Sequence, residues 1–215
     1  MRAFPKNRAG LSAKEFNLLQ KLSTPQKVQD FLDTFPINFE KNGETYMSVA
    51  RTLRAREAHC FEGALLAACA FWMHGQEPLL LDFKTHRDED HIVAPFRQGG
   101  LWGAVSKTNH MVLRYRDPVY KNIRELTLSY FHEYFNKAGQ KSLRSYLLFP
   151  LSRYDTNTWI SGEKELFDLV KIIDSARHHP LLPKSAVKHL RKTDPFVRKV
   201  SDITEWYRLR KGKRA

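Results

Sequence analysis

The chain of 215 residues carries 36 Lys or Arg against 23 Asp or Glu, a formal charge of +13, and is 42% hydrophobic and 12% aromatic. That length and apolar content suit one domain with a real core, with or without an appendage. Two cysteines without CxxC spacing argue against a disulfide framework and a thiolate zinc site, and no apolar run approaches the roughly 18 residues of a membrane helix; a soluble cytoplasmic protein with no metal, no cofactor and no membrane partner is expected.

Ser12 and Glu15 make a capping-box start for a helix from Ala13 to Leu22, and Thr24-Pro25 restarts a second helix that runs to Phe35 and stops at Pro36. Tyr46, Val49 and Leu53 recur at near-helical spacing, which predicts a short third helix. The run from Cys60 to Trp72 is almost wholly apolar, as a buried helix requires, and Gly75 supplies its stop. Pro78 to Phe83 reads as a buried strand, Lys84 to Asp90 as a charged loop, and His91 to Phe96 as a second strand. Gln98-Gly99-Gly100 is a hairpin turn, and Leu101 to Ser106 runs back antiparallel, with Met111 to Tyr115 read as extending the sheet. Beyond Asp117-Pro118, helices are expected over 123–135, 163–177 and 184–191, with 146–154 an edge strand. Helices, a central helix, a small antiparallel sheet and more helices define an α+β fold. The expected boundaries are one domain over 1–183, with a motif core at 54–109, and a basic helical extension over 184–215. That extension holds eleven Lys or Arg against three acids, a net of +8, and is expected to make non-specific contact with polyanions.

Cys60 carries the chemistry. A thiol in the first turn of a helix meets unpaired N–H groups and the positive end of the helix dipole, both of which favour the thiolate nucleophile. Cys69 lies among Ala67, Ala68 and Ala70 and is core. His91 begins a strand 31 residues after Cys60, so one helix and one strand separate a nucleophile from a base. Strand alternation limits what can orient that base to Ser106, Thr108, Asn109 or Asp117, whereas Asp90 points to the other face. His59 is read as a solvent-facing neighbour of Cys60. Glu62, Arg54 and Arg56 either steer an anionic group or pair with one another. His86, Asp88, Asp90 and His91 lack zinc-motif spacing and form a charged loop, and His178-His179-Pro180 reads as a helix end.

Three stretches carry a resemblance together: His59-Cys60-Phe61-Glu62-Gly63, the run from Gly75 to Leu81, and Asp90-His91 followed by the hairpin Gly99-Gly100-Leu101-Trp102. The succession resembles the transglutaminase-like branch of the papain-like cysteine enzymes, and the flanking helices point to a bacterial subgroup. The resemblance implies a central helix carrying a nucleophilic Cys60, packed on an antiparallel sheet, with His91 as general base. The family places an aspartate on the strand after the hairpin, where this chain has Ser106. A hydroxyl can accept a hydrogen bond from the imidazole but supplies no negative charge.

Two functions follow from this reading. One is acyl transfer on a peptide or small amide or ester, by hydrolysis or by transfer to an amine, with Cys60, His91, Ser106 and Asn109 as the site. The other is an inactive domain on the same fold that binds a peptide or a nucleic acid.

Overall fold

The computed structural model describes residues 3–5 and 7–204. Four helices, α1 (Ala13–Lys21), α2 (Pro25–Asp33), α3 (Val49–Ala55) and α4 (Cys60–Met73), precede strands β1 (Leu79–Thr85), β2 (His91–Gln98), β3 (Leu101–Val105) and β4 (Arg116–Tyr120). Then follow α5 (Ile123–Tyr130), β5 (Leu143–Pro150), α6 (Thr156–Ser161), α7 (Phe167–Ser175), β6 (His179–Pro180), α8 (Lys184–Val187) and α9 (Pro195–Arg198). The strands form one six-stranded sheet in the order β4-β3-β2-β1-β5-β6, antiparallel throughout. The fold is α+β. Among the described residues no helix is long and apolar enough to cross a membrane.

Local chemistry accounts for the element starts. Ser12 and Glu15 close the capping box of α1, and Thr24 caps α2 with Pro25 in its first turn. Helix α4 is buried along its whole length from Phe61 to Trp72, because the sheet covers one side and α1, α2, α3 and α6 cover the others. Its sheet partners include Leu80, Ile92, Ala94 and Phe96. The opposite sheet face packs Leu81, Phe83, Val93 and Ala104 against Leu126 and Tyr130 of α5 and against Tyr134. The β2–β3 turn needs two left-handed residues, and Gly99 and Gly100 supply them at φ 59° and 83°. This turn pairs Gln98 with Leu101 and sets the register that carries back toward His91.

The second half departs from the sequence expectation. Met111 to Tyr115 is not a strand. The edge strand β4 starts one residue later and contains Asp117-Pro118, a proline that an edge tolerates because its missing N–H breaks no ladder bond. Strand β5 is not at the edge: it pairs with β1 from Leu79↔Pro150 to Thr85↔Leu143 and with β6 on its other side. His179-Pro180 forms that two-residue strand rather than a helix end. Helix α5 stops at Tyr130, and Phe135 instead bridges to Lys141. The stretch predicted as a helix over 163–177 is helical only over Phe167–Ser175, and α6 precedes it. The C-terminal segment folds as short turns of helix, held to the body by Thr193 N–H on the Gly139 carbonyl at 2.8 Å and Met111 N–H on the Ile203 carbonyl at 3.2 Å. Residues 205–215 of the expected basic extension lie outside the described residues.

Candidate active site

The site is assembled at the first turn of α4, where the helix passes the end of β3. The contact there is tight: a Cβ on Gly63 would lie 2.5 Å from Cβ of Lys107. His59 is the N-cap. Its Nδ1 accepts from Phe61 N–H at 3.2 Å, its Nε2–H donates to the Thr45 carbonyl at 2.8 Å, and its own N–H donates to Glu62 at 3.0 Å, closing a capping box. Glu62 is fully buried and also accepts from Met47 N–H at 3.2 Å and from the Asn38 amide and the Thr45 hydroxyl. Burial raises its pKa, and these donors with the His59 charge pull the other way.

Cys60, half-buried, is the first residue of α4, and its thiol interacts with the rings of both His59 and His91. Burial pushes the thiol up, but hydrogen bonding to the two rings and their charges outweigh it and bring it down to about 5. Cys69, buried in the middle of the same helix, is pushed up by burial alone. The Cys60 N–H has no acceptor among the described residues, since the His59 ring caps Phe61 instead.

His91 is buried at the start of β2, and its Nε2 lies 2.9 Å from Oγ of Ser106. Ser106 Oγ donates in turn to the Leu113 carbonyl at 2.6 Å. With its single proton so used, Oγ accepts from Nε2–H, which leaves the His91 Nδ1 lone pair for the thiol side. The relay is anchored at each step. Gln29 of α2 brackets Ser106, accepting from its N–H at 3.0 Å and donating to its carbonyl at 2.9 Å. Leu113 is left-handed, with φ 61°, and its N–H donates to Glu133 at 2.7 Å. Glu133 pairs with Arg116 at 2.6 Å, and that guanidinium lies 4.2 Å above the Tyr130 ring.

The fold therefore brings Cys60, His91 and Ser106 together. Asn109, half-buried three residues beyond Ser106, has no hydrogen bond to the His91 ring among the described residues, and Thr108 spends its hydroxyl on His110 N–H at 3.1 Å. Asp117 is exposed on the edge strand and acts on Tyr115 rather than on His91. Asp90 binds Lys84 at 2.9 Å, away from the imidazole as alternation requires. Asp88 accepts from the Ser142 hydroxyl, and no group of three or more His, Cys, Asp or Glu among the described residues could hold a metal ion.

Three readings of the sequence are corrected. His59 does not face solvent, because only a ring at the N-cap can reach both Thr45 and Phe61. Glu62 is buried within the capping network and cannot steer a ligand, while Arg54 pairs with Glu163 at 2.7 Å and Arg56 lies over Phe35. His178 does not end a helix: α7 stops at Ser175, and the His178 Nε2 lies 2.8 Å from the buried carboxylate of Asp82. The His-x-x-Glu spacing of 59 and 62 is the signal that could have located the cap; nothing local marks Gln29, Leu113 or Glu133. Comparison of the chain with protein-family models and with curated proteins returns no match.

Proposed function

We propose that this protein is a cysteine-dependent acyl-transfer enzyme of the transglutaminase-like, papain-like type, acting on an amide or ester. The observation that carries the reading is a thiol at a helix start beside an imidazole oriented by the Ser106 to Leu113 relay, surroundings that bring the thiol down to about 5. The Cys60 proton passes to the His91 Nδ1 lone pair, the thiolate attacks the carbonyl carbon, and the Cys60 N–H receives the oxyanion. His91 then protonates the leaving amine or alcohol from Nδ1, the C–N or C–O bond breaks, and a thioester remains on Cys60. Water or an amine attacks the thioester as His91 takes the proton back, which regenerates the thiolate.

His91 fits this role better than His59. Burial holds His59 down, but hydrogen bonding to Cys60 and the charges of Cys60 and Glu62 lift it to about 10. Both His59 ring nitrogens are already engaged, Nδ1 with Phe61 N and Nε2 with the Thr45 carbonyl, and a group held that high does not cycle its proton near neutral pH, whereas no backbone group among the described residues occupies His91 Nδ1.

Intact-mass spectrometry after mixing the protein with activated p-nitrophenyl esters is the test. A stoichiometric acyl adduct on Cys60 that turns over in water or in the presence of an alkylamine is expected, with none in Cys60→Ala. An adduct that forms on Cys60 but never turns over would favour the second reading, a binding module on the same fold, to which the hydroxyl at Ser106 in place of a carboxylate lends weight. Absence of any Cys60 adduct rejects catalysis.

A further inference from the structure

A second concave site lies away from Cys60, where the β1–β2 loop, the stretch before β5, β5 itself and the segment around α8 meet around a cavity of about 380 Å³. Its wall carries Arg87, Lys141, Arg144, Lys188 and Lys192, with His86, and no carboxylate. None of the five Lys or Arg side chains is in an ion pair among the described residues. Lys141 donates to the His132 carbonyl at 2.7 Å and Arg144 to the Leu143 carbonyl at 2.9 Å, which leaves each with further N–H donors.

Burial lowers both Lys141 and Arg144, and no acidic neighbour works against it. Lys84, on the far side of the same loop, shows the usual arrangement, with Asp82, Asp90 and Asp174 around one ammonium at 3.5, 2.9 and 2.6 Å. Asp88, the carboxylate nearest in sequence to Arg87, is held by the Ser142 hydroxyl. Arg87 itself is left-handed at φ 56°, a conformation that non-glycine residues seldom keep without a reason.

Five cations without an ion-pair partner among the described residues surround one small cavity, Lys141 also lying 5.5 Å from the centre of the Phe135 ring, and a compact anion of high charge relieves their mutual repulsion at once. Guanidinium and ammonium groups together match the oxygens of phosphate, the first through paired N–H donors and the second as a point charge. The lining holds no Phe, Tyr or Trp ring on which a base would stack, and its volume is that of a small ligand rather than a strand of nucleic acid. We propose that this cavity is a binding site for a small ligand carrying a diphosphate group, distinct from the thiol site.

Isothermal titration of the full chain with inorganic pyrophosphate tests this, with ADP and AMP as further arms. One equivalent of pyrophosphate is expected to bind, and about ten-fold more weakly to Arg144→Gln and to Lys188→Gln. Lys171→Gln, an exposed control on α7, should bind like the parent, and all variants should share its melting temperature without ligand. ADP binding more tightly than pyrophosphate identifies a nucleotide as the source of the diphosphate, whereas equal affinity with no gain from the nucleoside identifies a free phosphate ester. Unaltered affinity in both pocket variants, or several equivalents bound, would overturn the proposal. So would tighter binding of a single-stranded oligonucleotide that is equally sensitive to Lys171→Gln, since that assigns the charge to a diffuse polyanion surface.

Discussion

The two thiols of α4 stand nine residues apart on one helix and have opposite chemistry. Cys69 is surrounded by hydrocarbon, so removing its proton leaves a charge with no partner, and burial alone moves its pKa upward. Cys60 is also penalised by burial, but it sits at the helix start where two imidazoles converge, and their hydrogen bonds and charges reverse the sign of the shift. What distinguishes the two cysteines here is therefore the pair of imidazoles beside Cys60 rather than depth.

The largest expected effect tests that contrast directly. In native protein at pH 7, iodoacetamide should modify Cys60 at least about a hundred-fold faster than Cys69, since reactivity follows the thiolate fraction and access. For a folded-state pKa near 5, the Cys60 rate should rise between about pH 4 and 6 and be level above that, instead of rising near the 8.5 of a free thiol. Prior labelling of Cys69 by peptide mass spectrometry, or a Cys60 midpoint near 8.5, would remove the contrast.

The two histidines separate next. Either loss removes a hydrogen bond and a positive charge from the thiolate, so either should raise the Cys60 midpoint above 5. His91→Asn should in addition lower kcat/KM on an activated ester by about 10²–10⁴-fold, the usual contribution of a general base. His59→Asn keeps a good N-cap acceptor and should retain most turnover despite the same direction of pKa change. Equal losses of kcat/KM from the two would mean that His91 is not the base.

The front half of the site was legible in the sequence because its rules are local. A helix start at Cys60 follows from an apolar run, and a Gly-Gly turn with strand alternation places Ser106 beside His91 even though they are 15 residues apart. The remainder rests on long-range partners that no local pattern encodes. Gln29 reaches Ser106 from 77 residues away, and β5 enters the middle of the sheet through pairing with β1 that its half-buried, non-alternating side chains do not announce. Leu113 leaves the strand that its apolar neighbours suggest because its left-handed φ is imposed from outside, by Ser106 on its carbonyl and Glu133 on its N–H. His59 is hidden as a cap because the usual N-cap residues are Ser, Thr, Asp and Asn, and an imidazole does the same work only when something such as Thr45 fixes its far nitrogen.

If the placement of the helix start makes Cys60 differ from Cys69, then crowding that start should disturb one thiol and spare the other. Gly63→Ala puts a methyl against Lys107 Cβ, and the neighbouring Ser106 belongs to the His91 relay. A cost of about 1–3 kcal/mol in chemical denaturation is expected, as for overpacking elsewhere. The Cys60 midpoint should shift with it, while Cys69 remains unreactive until global unfolding.

The smallest effect concerns the Ser106 hydroxyl, which stands where the proposed kinship would put a carboxylate. Ser106→Ala removes the acceptor of His91 Nε2–H and the donor to the Leu113 carbonyl together, so both partners lose a bond in a buried place, at about 1–3 kcal/mol of stability. Turnover should fall about ten-fold through loosened imidazole orientation, appearing in kcat more than in KM because the ring acts on the proton rather than on substrate binding. Ser106→Asp gives the ring a negative partner but sets a carboxylate against the Leu113 carbonyl with no proton between them, so it should not recover the parent rate. A Ser106→Asp variant that is both as stable as the parent and faster would show that the hydroxyl is a substitute for the carboxylate, and that the Leu113 contact contributes nothing to holding His91 in place.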